Sequence, residues 1–224
     1  NTPEGMLPSF KYSPSGLVYR NPALQSRKLP MLSMLSVTVP FVVYDGYCEK
    51  PERILNITID NYDGGFQTGT YFRERGHKRA LCIADNDICV DMERYQGFRE
   101  GFASGTVEFV LIPMRKEERW EYYRRNLSMF QSITAVFAVS DYYAMDLICF
   151  LQEQGIRVPE QISVAGFDDI PMCRMFCPTL TTVKQDGALR AKIAVEKLGE
   201  LKMGNLIQNE IRLPVSLVVR SSTK

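Results

Sequence analysis

Two adjacent carboxylates, Asp168 and Asp169, close an apolar run that carries Ile162, Val164, Gly166 and Phe167. Such a run suits a strand of a parallel sheet covered on both faces. In open α/β sheets ligands bind outside the carboxyl ends of the strands. An acidic pair at that place can accept hydrogen bonds from a polar ligand, most naturally from hydroxyls. The competing role is to cap the turn or helix that follows. Asp168 stands between these two roles, and Asp169 is expected to be structural. Ser140 and Asp141 end another apolar run, Ile133 to Val139, and pose the same choice. Asp141 either touches ligand or caps the helix that starts at Tyr142, and capping is expected of one of the pair. Trp120 could stack on a sugar face, but Tyr123 and Leu127 at helical spacing favour core or interface packing.

Four short apolar runs read as buried strands: Ala80 to Ala84, Val107 to Ile112, Ile133 to Val139 and Ile162 to Phe167. Between them lie helical periodicities. Trp120, Tyr123, Leu127 and Phe130 form one series, and Ala144, Leu147, Ile148 and Leu151 form another. Gly155 and Pro159 are expected to end the second helix. Strand–helix alternation with short connections predicts an α/β fold in which a doubly wound parallel sheet carries helices on both faces. Gly16 to Tyr19 and Pro40 to Asp45 read as strands of a second such unit, and Ala188 to Leu201 reads as an amphipathic helix of it. If the middle forms one lobe and the ends another, the chain crosses near Ile57 to Asn61 and again near Thr181 to Gln185.

The 27 basic and 26 acidic residues balance, which removes the overall basic character that would itself bind nucleic acid. No apolar run nears the length of a membrane span, and the first residues lack the pattern of an export signal. The six cysteines, Cys48, Cys82, Cys89, Cys149, Cys173 and Cys177, form no CxxC pair, and His77 does not stand among them. Zinc is therefore not expected, nor any other metal or cofactor. Cysteines in apolar segments behave as small hydrophobes, which suits a reducing cytoplasm. An enzyme is disfavoured: there is no GxSxG elbow, GxGxxG fingerprint or metal-ligand cluster.

A series of motifs resembles the effector-binding core of the lactose/galactose-repressor family of bacterial transcription regulators, itself similar to periplasmic sugar-binding proteins. The series includes Ile59-Asp60-Asn61 with Gly64 or Gly65, Gly76-His77-Lys78-Arg79, Arg94-Tyr95-Gln96-Gly97-Phe98 and Ala135 to Asp141. It continues through Gly155 to Pro159, Ile162 to Asp169 and Pro178 to Gln185, in the family's order and at about its spacing. The turn Gly76 to Arg79 fits a helix stop with a left-handed cap and basic groups at the negative end of the dipole, so His77 is expected to be structural.

The resemblance implies two periplasmic-binding-protein-like lobes. One would hold residues 1–58 with about 186–208, and the other 59–183 with about 209–224. The N-terminal lobe looks short of its central strand, and a DNA-binding domain is expected outside these residues. The resemblance also implies that Arg94 and Asp168 contact effector from one lobe. A guanidinium there can give bidentate hydrogen bonds to vicinal hydroxyls or to a carboxylate. Asp45 would supply a carboxylate from the opposite lobe, and Gln185 a polar side chain at the second crossover. The expected function is that of a cytoplasmic, dimeric transcription regulator, a repressor. It would bind a sugar-like, nucleoside or purine effector between its lobes and so control an operator. The alternative is a solute-binding protein that delivers a sugar to a transporter.

Overall fold

The computed structural model describes residues 11–13, 16–20, 41–44, 54–87, 89–205 and 210–224. Asp45 and Cys48 lie outside them. In chain order the elements are β1 (Lys11–Ser13), β2 (Gly16–Arg20), β3 (Phe41–Tyr44), β4 (Ile54–Ile59), α1 (Asn61–Glu74), β5 (Arg79–Ala84), α2 (Cys89–Gly101) and β6 (Thr106–Leu111). They continue with α3 (Lys116–Arg125), β7 (Ala135–Ala138), α4 (Asp141–Glu153), β8 (Ser163–Asp168), β9 (Thr181–Lys184), α5 (Gly187–Lys202), β10 (Glu210–Leu213) and β11 (Ser216–Val218). Short 3-10 turns follow α3 at Leu127–Gln131 and β8 at Pro171–Arg174.

The chain divides into two compact units: Asn1–Ile59 with Asp186–Leu213, and Asp60–Gln185 with Pro214–Lys224. In the first, the strand order is β1-β2-β3-β4-β10. All neighbours are parallel except β1 and β2, which pair antiparallel. Helix α5 packs on this sheet, burying Ala194, Leu198 and Leu201. Arg190 of the same helix is buried and donates from Nη2 to the carbonyl of Ile57 at 2.9 Å.

The second unit has the order β11-β9-β8-β7-β5-β6, parallel throughout apart from the β11–β9 pair. Its central strands are apolar on both faces because both are covered: Leu81, Cys82, Ile83, Val136, Phe137, Val164 and Phe167 are fully buried. One face packs Leu81, Ile83, Val136 and Val164 against Tyr123, Leu147, Phe150 and Leu151. Trp120 joins that side, its indole N–H donating to Asp146 Oδ1 at 2.9 Å and its ring edge-on to Phe150. It is a packing residue, as its helical neighbours imply. On the other face Phe98 meets Phe72, Phe102 and Phe137.

Helices α1 and α2 cross at backbone contact. A Cβ on Gly65 would clash with the Arg94 carbonyl, and one on Gly97 with the Tyr62 carbonyl. Helix α1 ends at Gly76 with φ +83, the left-handed stop expected of this turn. Next to it, His77 is buried and shares a 2.7 Å hydrogen bond between Nδ1 and Thr134 Oγ1.

Candidate functional site

Parallel β5, β7, β8 and β9 bring Asp85, Ser140, Asp168 and Gln185, at or just past their carboxyl ends, to one edge of the second sheet. Arg94, on the second turn of α2, reaches the same place. Its Nε donates to Asn61 Oδ1 at 2.9 Å and its Nη1 to the Val139 carbonyl at 2.6 Å. The guanidinium lies 3.7 Å from the centroid of the Phe167 ring, and Nη2 stands 4.0 Å from Asp168 Oδ1. Arg94 is only 8% exposed, so its charge is held in place by four elements at once.

Asp168 is the acceptor at the centre. Gln185 Nε2 donates to its Oδ1 at 2.7 Å, and its side chain keeps 27% of its exposure. The backbone here is strained: Asp168 has φ +122 and Asp169 has φ +54, a left-handed region that side chains other than glycine adopt at a cost. Two such residues in succession turn neighbouring carboxylates to different surroundings. Asp168 meets Arg94 and Gln185. Asp169 points inward, its side chain 3% exposed, with Arg220 Nη2 at 2.5 Å and Arg174 Nη2 at 3.6 Å. Asp169 therefore serves the fold.

Ser140 caps α4, accepting from the Tyr142 backbone N–H at 3.4 Å. Asp141 is fully buried and its carboxylate is engaged within the protein. It accepts from Thr182 Oγ1 at 2.5 Å, from the Ile170 N–H at 3.0 Å and from Cys173 Sγ at 3.1 Å. Burial pushes its pKa up to about 6, opposed by those hydrogen bonds. Gly166 makes room for it, since a Cβ there would collide with Asp141 Oδ1. Of the residues expected at the site, the structure thus brings together Arg94, Asp168 and Gln185. It places Ser140 at a helix cap and Asp141 beneath the loop, and Asp45 falls outside the described residues.

Three further groups belong to this edge. Asn61 orients Arg94. Its only sequence signal was the motif that contains it. Asp91, in the first turn of α2, is 8% exposed, and burial raises its pKa to about 6 against the nearby charge of Arg94. Its spacing of three residues from Arg94 marked a shared helix face. The Tyr143 hydroxyl donates to Asp85; nothing in the sequence announced that pair. Among the described residues no group of His, Cys, Asp and Glu could hold a metal ion, and no helix is long and apolar enough to cross a membrane.

The periplasmic binding protein-like domain family matches residues 70–223. The chain is 30% identical over 207 residues to a protein named HTH-type transcriptional repressor PurR of Haemophilus influenzae, covering 88% of this chain and 60% of that protein. To the protein of the same name from Mannheimia succiniciproducens it is 29% identical over 194 residues, covering 83% and 58%. It thus spans about three fifths of the length of these curated relatives. A lac repressor dimer bound to operator and an anti-inducer superposes with a TM-score of 0.79 at 25% identity, over 93% of this chain and 73% of that one. A ribose-bound regulator of the same family from Enterococcus faecium gives 0.80 at 24% identity, over 93% and 79%. The chain belongs to the periplasmic binding protein-like family, as an effector-binding core of the lactose/galactose-repressor type.

Proposed function

We propose that this chain is the ligand-sensing domain of a bacterial transcriptional repressor. Its effector would be a small polyhydroxylated molecule held at the carboxyl edge of the second sheet. The observation that carries this is the Arg94–Asp168–Gln185 constellation, with fixed donors and an acceptor on strained backbone at the place where open α/β sheets take ligands. Asp168 accepts from ligand hydroxyls, and Gln185 holds its carboxylate in one orientation. Arg94 supplies the remaining N–H groups of a guanidinium locked by Asn61 and Val139. The repressor names of the relatives support a regulator over a transporter's binding protein.

The mechanism is allosteric. Effector binds two arrangements of the core with different affinity, and that difference changes how a cytoplasmic homodimer presents DNA-binding heads to its operator. No turnover of the effector is part of this reading.

A thermal-shift screen of this chain against pentoses, hexoses, disaccharides, nucleosides and purine bases tests the proposal, since a ligand that binds only the folded state raises the melting temperature. The expected hit is lost in Arg94→Ala and Asp168→Ala. A hit that both variants retain would remove the effector from this site.

A further inference from the structure

Hydrogen-bond accounting at Arg94 restricts what the site can hold. The guanidinium has turned Nε to Asn61 and one Nη1 proton to the Val139 carbonyl, and Nη2 faces Asp168. With Nε taken by Asn61, the side-on pair of donors, Nε with Nη2, is closed to the two-point grip of a phosphate or carboxylate, and the end-on side that remains is the one Asp168 faces.

Among the described residues, Asp85 and Asp91 bring further carboxylates to the same edge as Asp168. Asp168 faces Arg94 across 4.0 Å, and Asp91 lies one turn earlier on the same helix, close enough for the charges of Arg94, Asp85 and Asp168 to act on it. Asp85 follows β5, where Asn86 Nδ2 donates to its Oδ1 at 2.9 Å and the Tyr143 hydroxyl donates as well. Asp85 is half-buried and Asp91 buried, so solvent screens their charges less than it would on an open surface.

We propose that Asp85 and Asp91 set the specificity of the effector site, fitting it to a neutral or amino-bearing ligand rich in hydrogen-bond donors and rejecting phosphorylated or carboxylated forms of the same skeleton. The inference rests on the site reading above. An anionic ligand would displace Asp168 from Arg94 and bring a like charge beside Asp85 and Asp91. Juxtaposed like charges in a partly dry site suppress a wrong partner.

Isothermal titration of the chain with matched sets tests this: D-ribose against its phosphate monoester, adenosine against adenosine monophosphate, and D-glucose against D-glucosamine and glucose phosphate. In every set that binds, the phosphate ester should be weaker by about a hundredfold. Asp91→Asn and Asp85→Asn should each narrow that ratio. A ratio unchanged in both well-folded variants overturns the role of Asp85 and Asp91, and each variant tests it alone should the other fold poorly. A phosphate ester that binds as tightly as its parent overturns the specificity role while leaving the site in place. Binding unchanged in the Arg94→Ala, Asp168→Ala double variant overturns the site reading itself, and the specificity role with it.

Discussion

Gln185 donates to Asp168 across 2.7 Å and ties the end of β9 to the end of β8, at the last residue the chain spends in the second unit before α5. The bond fixes an acceptor whose own backbone sits at φ +122. A residue held in a sparsely populated conformation persists only where its surroundings impose it, and such residues gather at binding sites.

That geometry separates charge from strain. Asp168→Gly relieves the backbone and removes the carboxylate, whereas Asp168→Ala removes only the carboxylate. The glycine variant should be more stable than the alanine variant by about 1 kcal/mol. Both should weaken effector binding about a hundredfold, the worth of charge-assisted hydrogen bonds to ligand. Denaturant melts and titration of the two variants side by side check this. Equal stability would mean that the φ at Asp168 carries no cost.

The helix crossing beneath Arg94 gives a second prediction. Gly65 and Gly97 admit the opposing backbones of α2 and α1, and the crossing sets the 2.9 Å bond from Arg94 to Asn61. Gly65→Ala or Gly97→Ala should destabilise by about 1–3 kcal/mol through overpacking. Each should also weaken effector binding, although neither glycine has a side chain to offer a ligand. A variant that loses stability and keeps full affinity would show that the crossing does not position Arg94.

Asp141 predicts a pH dependence. Its carboxyl titrates at about 6 in the folded chain against 3.8 for the ordinary value. The folded pKa is raised, so the protonated form is favoured by folding. That contribution is complete below about pH 4 and is lost as pH rises through about 6. Asp141→Asn should remove about 2–3 kcal/mol of pH-dependent stability across that window, read as a flatter slope of unfolding free energy against pH. Asp91 titrates in the same range from the same cause and keeps the remaining slope in that variant. His77 acts in the opposite sense. Burial and the charges of Lys224 and Arg75 lower its pKa, so its contribution is present above about pH 6.5 and falls away as pH drops. His77→Gln should leave the stability curve flatter on the acid side of neutrality. An unchanged curve would mean that folding does not lower the pKa of the ring.

The strands were legible because apolar runs such as Val136–Ala138 and Val164–Phe167 have few other fates than a covered sheet. Alternation with helices gave the doubly wound order. The edges of elements were blurred: periodicity ran Trp120 through Phe130 together, while the chain breaks at Asn126 and resumes as a 3-10 turn. Within the site, Asp168 and Arg94 were legible, one from its place after a buried run and the other from the family's motif. The opposite fate of Asp169 was legible only as a guess, because its partner Arg220 lies 51 positions along the chain. The burial of Asp141 depends on Thr182, 41 positions away, and on the missing Cβ of Gly166. Local pattern carries no record of such contacts.

Asp169 supplies the last prediction. Its carboxylate, 3% exposed, is paired with Arg220, itself 12% exposed and also donating from Nη1 to the Leu180 carbonyl at 2.6 Å. Removing one member of a buried pair leaves the other charge uncompensated, which costs about 3–5 kcal/mol. Asp169→Ala should destabilise by that amount, and Arg220→Ala by less, because Arg174 still faces the carboxylate at 3.6 Å. The double variant should recover part of the loss, because no charge is then stranded. The pair also sits one residue from Asp168, so the single variants free the backbone that holds Asp168 in its strained conformation. Their effector affinity should fall further than that of the double variant. A thermodynamic cycle that is additive in both stability and affinity would show that Asp169 and Arg220 act independently, and that the strained pair of aspartates is not held from within.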